Sequence, residues 1–234
     1  MYKLIAFDLD GTLSQHRSKL GEENRKILNT LNQKYKLLMV GAGAPERIFA
    51  QMNEFPIDII GYYGMQESVM ENGRPKIIRS EFYSVDQDYF VRAANDVRAK
   101  YGYTQYKGAN VEFHATGAVT LPLLGKDADI ADKVAFDPDR KKRSAIYPFV
   151  KSLFPGFNVF IGGSSSFDIV KEQFNKYHAL TNYMERHNLS KEEVMYVGDD
   201  FGEGGNDEQI RTGGLNYTAI DDYLKLGERL AFLL

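Results

Sequence analysis

The sequence predicts an α/β protein, a doubly wound parallel-sheet core carrying an inserted α+β unit. Three observations predict it. Short apolar runs alternate with amphipathic helical segments at both ends of the chain. In the middle that rhythm breaks, and a helix followed by adjacent antiparallel strands occurs twice. Two of the apolar runs, finally, end in closely spaced aspartates.

In chain order, Lys3 to Phe7 (KLIAF) reads as a strand buried on both faces, closed by Asp8-Leu9-Asp10-Gly11-Thr12. Glu22 to Tyr35 reads as a helix, with Ile27, Leu28, Leu31 and Tyr35 at helical spacing. Leu37 to Val40 is a second strand, followed by the loop Gly41 to Ala44 and by Pro45 at a first helical position. Ile57 to Tyr63 is a third strand. After Glu81 come a helix over Asp88 to Lys100 and short strands at Asn110 to His114 and Ala118 to Leu121. A charged helix from Pro138 to Phe154 precedes the strands Asn158 to Gly162 and Ser166 to Val170. The first rhythm returns with a helix over Lys176 to His187 and a buried strand over Val194 to Val197, ended by Gly198-Asp199-Asp200. Leu224 to Leu234 reads as a helix covering the sheet edge. The expected domains are therefore a core of residues 1–83 and 173–234 and an insertion of residues 84–172.

Composition narrows the classes. The 234 residues carry 29 Lys+Arg against 32 Asp+Glu, a formal charge of -3, which disfavours nucleic acid or an anionic membrane as main partner. Without cysteine there is no disulfide, thiolate metal site or thiol nucleophile. The four histidines are scattered, and acids interrupt the apolar start where a signal peptide needs its apolar stretch. A cytoplasmic protein is expected.

The chemistry sits at two strand ends, Asp8 and Asp10 after the first strand and Asp199 and Asp200 after the last buried one. In open α/β sheets ligands bind beyond the carboxyl ends of the strands, so groups far apart in sequence can meet there. Several carboxylates at one point need a cation, and oxygen donors without nearby His or Cys point to Mg²⁺. A carboxylate is also a competent nucleophile towards phosphorus. Taken alone, DxDG reads first as an acidic turn closing a strand.

FDLDGTL near the start, a late lysine and GDD…GGND together resemble the haloacid dehalogenase superfamily of phosphoryl-transfer enzymes. The resemblance implies Asp8 as nucleophile and Asp10 as general acid/base, with the Asp10 backbone carbonyl also meeting the magnesium. It implies Lys176 as the lysine pairing nucleophile and phosphate, where an isolated lysine would read as a solvated helix residue. Asp199 becomes the metal-binding acid.

VGDDFGEGGNDEQI, IGGSSSFDIV, VEFH…GK and the position of the insertion further resemble the eukaryotic-type phosphomannomutase family, the branch with a type IIB α+β cap. This implies Asn206 and Asp207 as metal ligands or their supports, against a plain flexible turn, and Ser166 and Asp168 as groups bonding sugar hydroxyls. It implies Arg17 as a substrate contact, and Lys107, His114 and Lys126 where the family has arginines for a distal phosphate. The partner implied is a hexose 1- or 6-phosphate, with a bisphosphate activator. Cap helices such as Asp88 to Lys100 are candidates for pairing two copies. Three departures stand out: Lys, His and Lys in place of arginine, a loop GAGA without a hydroxyl, and no clean ENG in YYGMQES. Interconversion of mannose 1- and 6-phosphate is the leading expectation. Sugar-phosphate hydrolysis is the alternative, and a sugar-phosphate-binding protein without catalysis a third.

Overall fold

A computed structural model describes all residues 1–234. Its elements in chain order begin with β1 (Leu4–Phe7), α1 (Glu22–Asn32), β2 (Lys36–Val40), α2 (Pro45–Gln51), β3 (Asp58–Gly61), β4 (Gln66–Glu71) and β5 (Arg74–Ser80). Then follow α3 (Gln87–Tyr101), β6 (Glu112–Phe113), β7 (Val119–Pro122), α4 (Ile130–Phe136), α5 (Lys141–Ser152), β8 (Phe157–Phe160) and β9 (Ser166–Lys171). The last are α6 (Lys176–Arg186), β10 (Val194–Gly198), α7 (Glu208–Thr212), β11 (Asn216–Ala219) and α8 (Leu226–Arg229). No helix is long and apolar enough to cross a membrane.

The chain divides into two compact units, residues 1–81, 174–202 and 207–234 in the first and residues 82–173 and 203–206 in the second. The first holds a seven-stranded sheet in the order β11-β10-β1-β2-β3-β4-β5, parallel from β11 to β3. Side-chain alternation along these strands explains why both faces are covered. Ile5, Phe7, Leu37, Met39, Ile59, Met195 and Val197 face α1, α2 and the C-terminal segment. Leu4, Ala6, Leu38, Val40, Ile60, Val194 and Tyr196 face α6 and α7. The predicted α/β class is thus present.

Four expectations are corrected. The sheet is mixed, because β4 and β5 form an antiparallel hairpin on its edge. That hairpin turns on Asn72-Gly73, both at positive φ (52° and 78°), as a tight two-residue turn requires. The third strand stops at Gly61, and Tyr62 and Tyr63 turn left-handed (φ 48° and 58°). The single charged helix is two, α4 and α5, because Asp137 before Pro138 lies outside the helical region (φ -153°, ψ 62°) and Arg140 is left-handed (φ 61°). The C-terminal segment buries Leu226, Leu230 and Leu233, but only α8 is α-helical.

The second unit has a four-stranded antiparallel sheet in the order β6-β7-β9-β8. One face, with Val119, Leu121, Phe167, Ile169 and Val159, packs on Phe90, Ala94 and Val97 of α3 and on Ile146 and Val150 of α5. The opposite face carries the row Glu112, Thr120 and Asp168, directly opposite one another across three strands.

Candidate active site

β1 and β10 pair in parallel with Phe7 opposite Val197, so Asp8 and Asp199 emerge side by side from their carboxyl ends. The Asp8 N–H donates to Val197 O at 2.9 Å, which fixes the strand exit. Gly11 is left-handed (φ +90°), and a Cβ there would lie 2.3 Å from an Asp199 oxygen, so this turn requires glycine. Thr12 is fully buried and donates to Asp199 Oδ1 at 3.1 Å.

Lys176 is the first residue of α6, behind the N-cap Asn175, whose side chain accepts from His178 N–H at 2.8 Å. The lysine is fully buried, and its Nζ donates to Asp8 Oδ1 at 2.7 Å and to Asp207 Oδ1 at 2.8 Å. Asp207 is equally buried. Its Oδ1 also accepts from Tyr196 Oη at 2.6 Å, and its Oδ2 accepts from the N–H groups of Asp199 (3.2 Å) and Asp200 (3.1 Å). Asp8, Asp199 and Asp207 bring one oxygen each within 4.8 Å of one another.

Three carboxylates around one ammonium leave negative charge in excess. Burial pushes the Asp8 carboxyl up to about 6; Lys176 opposes the rise, and the charges of Asp207 and Asp10 add to it. Asp199 is open to solvent, yet desolvation, followed by the charges of Asp8 and Asp207, raises its carboxyl well above the usual range. Desolvation pulls Lys176 down, but the charges of Asp207 and Asp8 outweigh it and leave the ammonium raised. Such a cluster favours a bound cation. Its donors are all oxygen, which fits a hard divalent ion such as Mg²⁺.

Asp10 is held differently. Its Oδ1 accepts from Gln51 Nε2 at 2.5 Å and from Arg17 N–H at 2.8 Å, with Arg17 left-handed (φ 59°). The structure thus brings the Arg17 backbone to Asp10. In the loop Gly41 to Ala44, the Gly41 N–H is taken by Ile60 O, which removes it from any phosphate-binding set. The carbonyls of Gly43 and Gly41 accept from Tyr62 and Tyr63 N–H, so the strained tyrosine pair pins this loop.

Lys107, His114, Lys126, Ser166 and Asp168 all lie in the second unit, with which Asn206 also groups. His114 Nε2 lies 3.1 Å from Thr120 Oγ1, which donates to Asp168 Oδ1 at 3.2 Å. A carboxylate only accepts and a hydroxyl has one proton, so in this chain Nε2 donates to Thr120. Lys126 pairs with Glu112 at 3.1 Å, and Lys107 pairs with Asp129 at 2.5 Å. The Ser166 hydroxyl donates to Gly162 O at 3.1 Å.

Sequence reasoning passes over Thr12, Gln51 and Tyr196. Thr12 stands inside the opening motif and Gln51 ends α2, but Tyr196 reads in VMYV as one more apolar strand residue. Only its hydroxyl distinguishes it.

Comparison with known proteins adds sequence and fold. A family model described as haloacid dehalogenase-like hydrolase matches residues 100–208. The phosphomannomutase of Saccharomyces cerevisiae is 25% identical over 241 residues, covering 95% of this chain and 92% of the relative. That of Spinacia oleracea is 26% identical over 244 residues, covering 95% and 93%. An IMP-bound mutant of the Plasmodium falciparum IMP-nucleotidase shares the fold with a TM-score of 0.70 at 16% identity, covering 99% of this chain and 68% of the other.

Proposed function

This chain is a haloacid dehalogenase-like, phosphomannomutase-like enzyme, and from that premise we propose that it transfers the phosphoryl group of a hexose phosphate through an aspartyl-phosphate on Asp8. The observation that carries the reading is Lys176, a fully buried ammonium held between Asp8 and Asp207 in a cluster of three carboxylates. A lysine so placed keeps Asp8 ionised and meets the charge of an arriving phosphate.

In the first half-reaction an Asp8 carboxylate oxygen attacks phosphorus and the bond from phosphorus to the sugar oxygen breaks. The leaving oxygen takes a proton from the Asp10 carboxyl. In the second half the Asp10 carboxylate accepts the proton of an incoming hydroxyl, whose oxygen displaces Asp8 from phosphorus. Gln51 and the Arg17 N–H orient the Asp10 carboxyl for both steps. Asp8, Asp199 and the Asp10 carbonyl would hold Mg²⁺. When bound, the ion supplies charge neutralisation between the attacking carboxylate and the phosphoryl oxygens. Asp207 already accepts four hydrogen bonds and acts as an anchor for Lys176.

The incoming hydroxyl decides the activity. Likeness to phosphomannomutases over 95% of the chain supports a sugar hydroxyl, hence interconversion of hexose 1- and 6-phosphates through a bisphosphate. The pairing of Lys107 with Asp129 and of Lys126 with Glu112 favours water as a second reading, because a distal phosphate must displace both acids. Phosphorus NMR on mannose 1-phosphate with Mg²⁺ and a bisphosphate activator separates the two. Appearance of the 6-phosphate supports the mutase, and release of inorganic phosphate alone supports hydrolysis. No turnover of sugar phosphates or of an aryl phosphate sinks both and leaves a binding protein.

A further inference from the structure

We propose that Tyr196 is a positioning residue for phosphoryl transfer, acting through Asp207 to set how Lys176 is shared with Asp8. The inference rests on the reading of Asp8 as nucleophile. Alternation along β10 turns Val194 and Tyr196 towards the apolar layer of Ala6, Leu38, Val40, Leu180 and Ile210, so the tyrosine ring is wholly buried. A phenylalanine would fill that layer equally well. The added hydroxyl is tolerated only with a partner, since an unbonded buried hydroxyl is costly. Its proton goes to Asp207 Oδ1 at 2.6 Å, the oxygen that also receives Lys176 at 2.8 Å.

The consequence concerns the lysine. Its ammonium lies 2.7 Å from Asp8 Oδ1 and 2.8 Å from Asp207 Oδ1, a nearly even division. A second strong donor on Asp207 Oδ1 draws electron density from that oxygen and weakens its hold on Lys176. The backbone donors of Asp199 and Asp200 fix the other oxygen, so the carboxylate cannot turn away to compensate. Without the Tyr196 hydroxyl, Asp207 Oδ1 keeps Lys176 for itself, the ammonium shifts from Asp8, and the attack on phosphorus is slowed. Substrate has no contact with Tyr196 in this scheme, so its binding is spared.

Tyr196→Phe tests this with two readouts. With an aryl phosphate and saturating Mg²⁺, kcat should fall roughly five- to tenfold while KM stays within about twofold. In lysine-labelled protein, the ammonium nitrogen signal of Lys176, assigned with Lys176→Arg, should move in Tyr196→Phe because its acceptor geometry changes. A purely space-filling tyrosine would alter melting temperature and move neither readout. An unmoved ammonium signal, or an unmoved kcat in an active protein, overturns the proposal alone. No turnover by the wild type sinks the phosphoryl-transfer reading, and this inference with it.

Discussion

Each unit buries a charged cluster, and the two differ in their balance. In the second unit one arginine meets one aspartate. Arg143 donates through Nε to Asp137 Oδ2 at 2.8 Å, and the N–H groups of Lys142 and Arg143 donate to the same carboxylate. Its Nη1 donates to Gly162 O at 2.7 Å and to Gly163 O at 2.8 Å, which fixes the turn before β9. Burial pushes the Asp137 carboxyl up, but the bonds from Arg143 and the two backbone groups outweigh it and leave it below its usual range. In the first unit one lysine, bonded to Asp8 and Asp207, stands in a cluster of three carboxylates, and the Asp8 carboxyl is pushed up to about 6. A balanced, saturated pair holds structure. An unbalanced one keeps a demand for a cation and a phosphoryl group.

The largest expected effect separates the two clusters by activity. Asp8→Asn should reduce turnover of any phosphate ester to background and abolish a trappable phosphoenzyme, because an amide is a poor nucleophile. It should not destabilise the metal-free protein. The folded Asp8 carboxyl is raised, so its contribution to stability is full below the ordinary carboxyl value and is lost as pH rises through about 6. At pH 7 the neutral amide escapes that loss, and urea unfolding should show a gain on the order of 2–3 kcal/mol. A stability loss on Asp8→Asn would erase the distinction between the clusters.

Asp137→Asn should do the reverse. It leaves the Arg143 guanidinium buried without its counter-charge, and removing one partner of a buried pair costs about 3–5 kcal/mol. Hydrolysis of a small aryl phosphate below the new unfolding transition should persist, since the Asp8 cluster belongs to the other unit. The folded Asp137 carboxyl is lowered, so its stabilisation is present at neutral pH and lost as pH falls through the acid range. The two clusters thus contribute opposite slopes to stability against pH.

That comparison also explains what the sequence makes legible. The buried strands, their alternation and the two acid-ended strands can be read because burial on both faces writes apolar runs, and because FDLDGTL and GDD break them abruptly. The β4–β5 hairpin carries a readable Asn72-Gly73 signal, yet β5 is largely exposed and lacks the apolar run that marks its neighbours. Arg143 and Asp137 look like surface charges in a charged segment; only the break at Pro138 folds them inward. Tyr196 is hidden for the opposite reason, an apolar context that conceals one hydrogen-bonding oxygen.

A smaller effect tests the excess charge directly. At pH 6 roughly half of the Asp8 carboxyl is protonated in metal-free protein. Mg²⁺ favours the ionised carboxylates, so its binding should release protons. Calorimetry at pH 6 in buffers of different ionisation enthalpy should give buffer-dependent heats of the sign for proton release. The release should shrink at higher pH, and at pH 6 in Asp8→Asn. Equal heats in every buffer would mean that the cluster holds no displaceable proton.

The smallest effect lies at the surface of the second unit, where Lys107 meets Asp129 and Asp132 with more than half of each side chain exposed. Hydrogen bonding to Asp129 and its charge raise the lysine, but water and salt screen the pair, and such pairs add little to stability. Lys107→Ala should therefore leave the unfolding midpoint without measurable change, in contrast to Asp137→Asn. Turnover of a small aryl phosphate should be equally unaffected, since that ester has no distal group. If Lys107 reads the far end of a sugar phosphate, the same variant should raise KM for the hexose phosphate alone, and added salt should weaken wild-type recognition in the same direction. A melting shift comparable to that of Asp137→Asn would place Lys107 among the structural charges. An unchanged KM would confine it to its pair with Asp129 and weigh against the distal-phosphate contact on which a mutase depends.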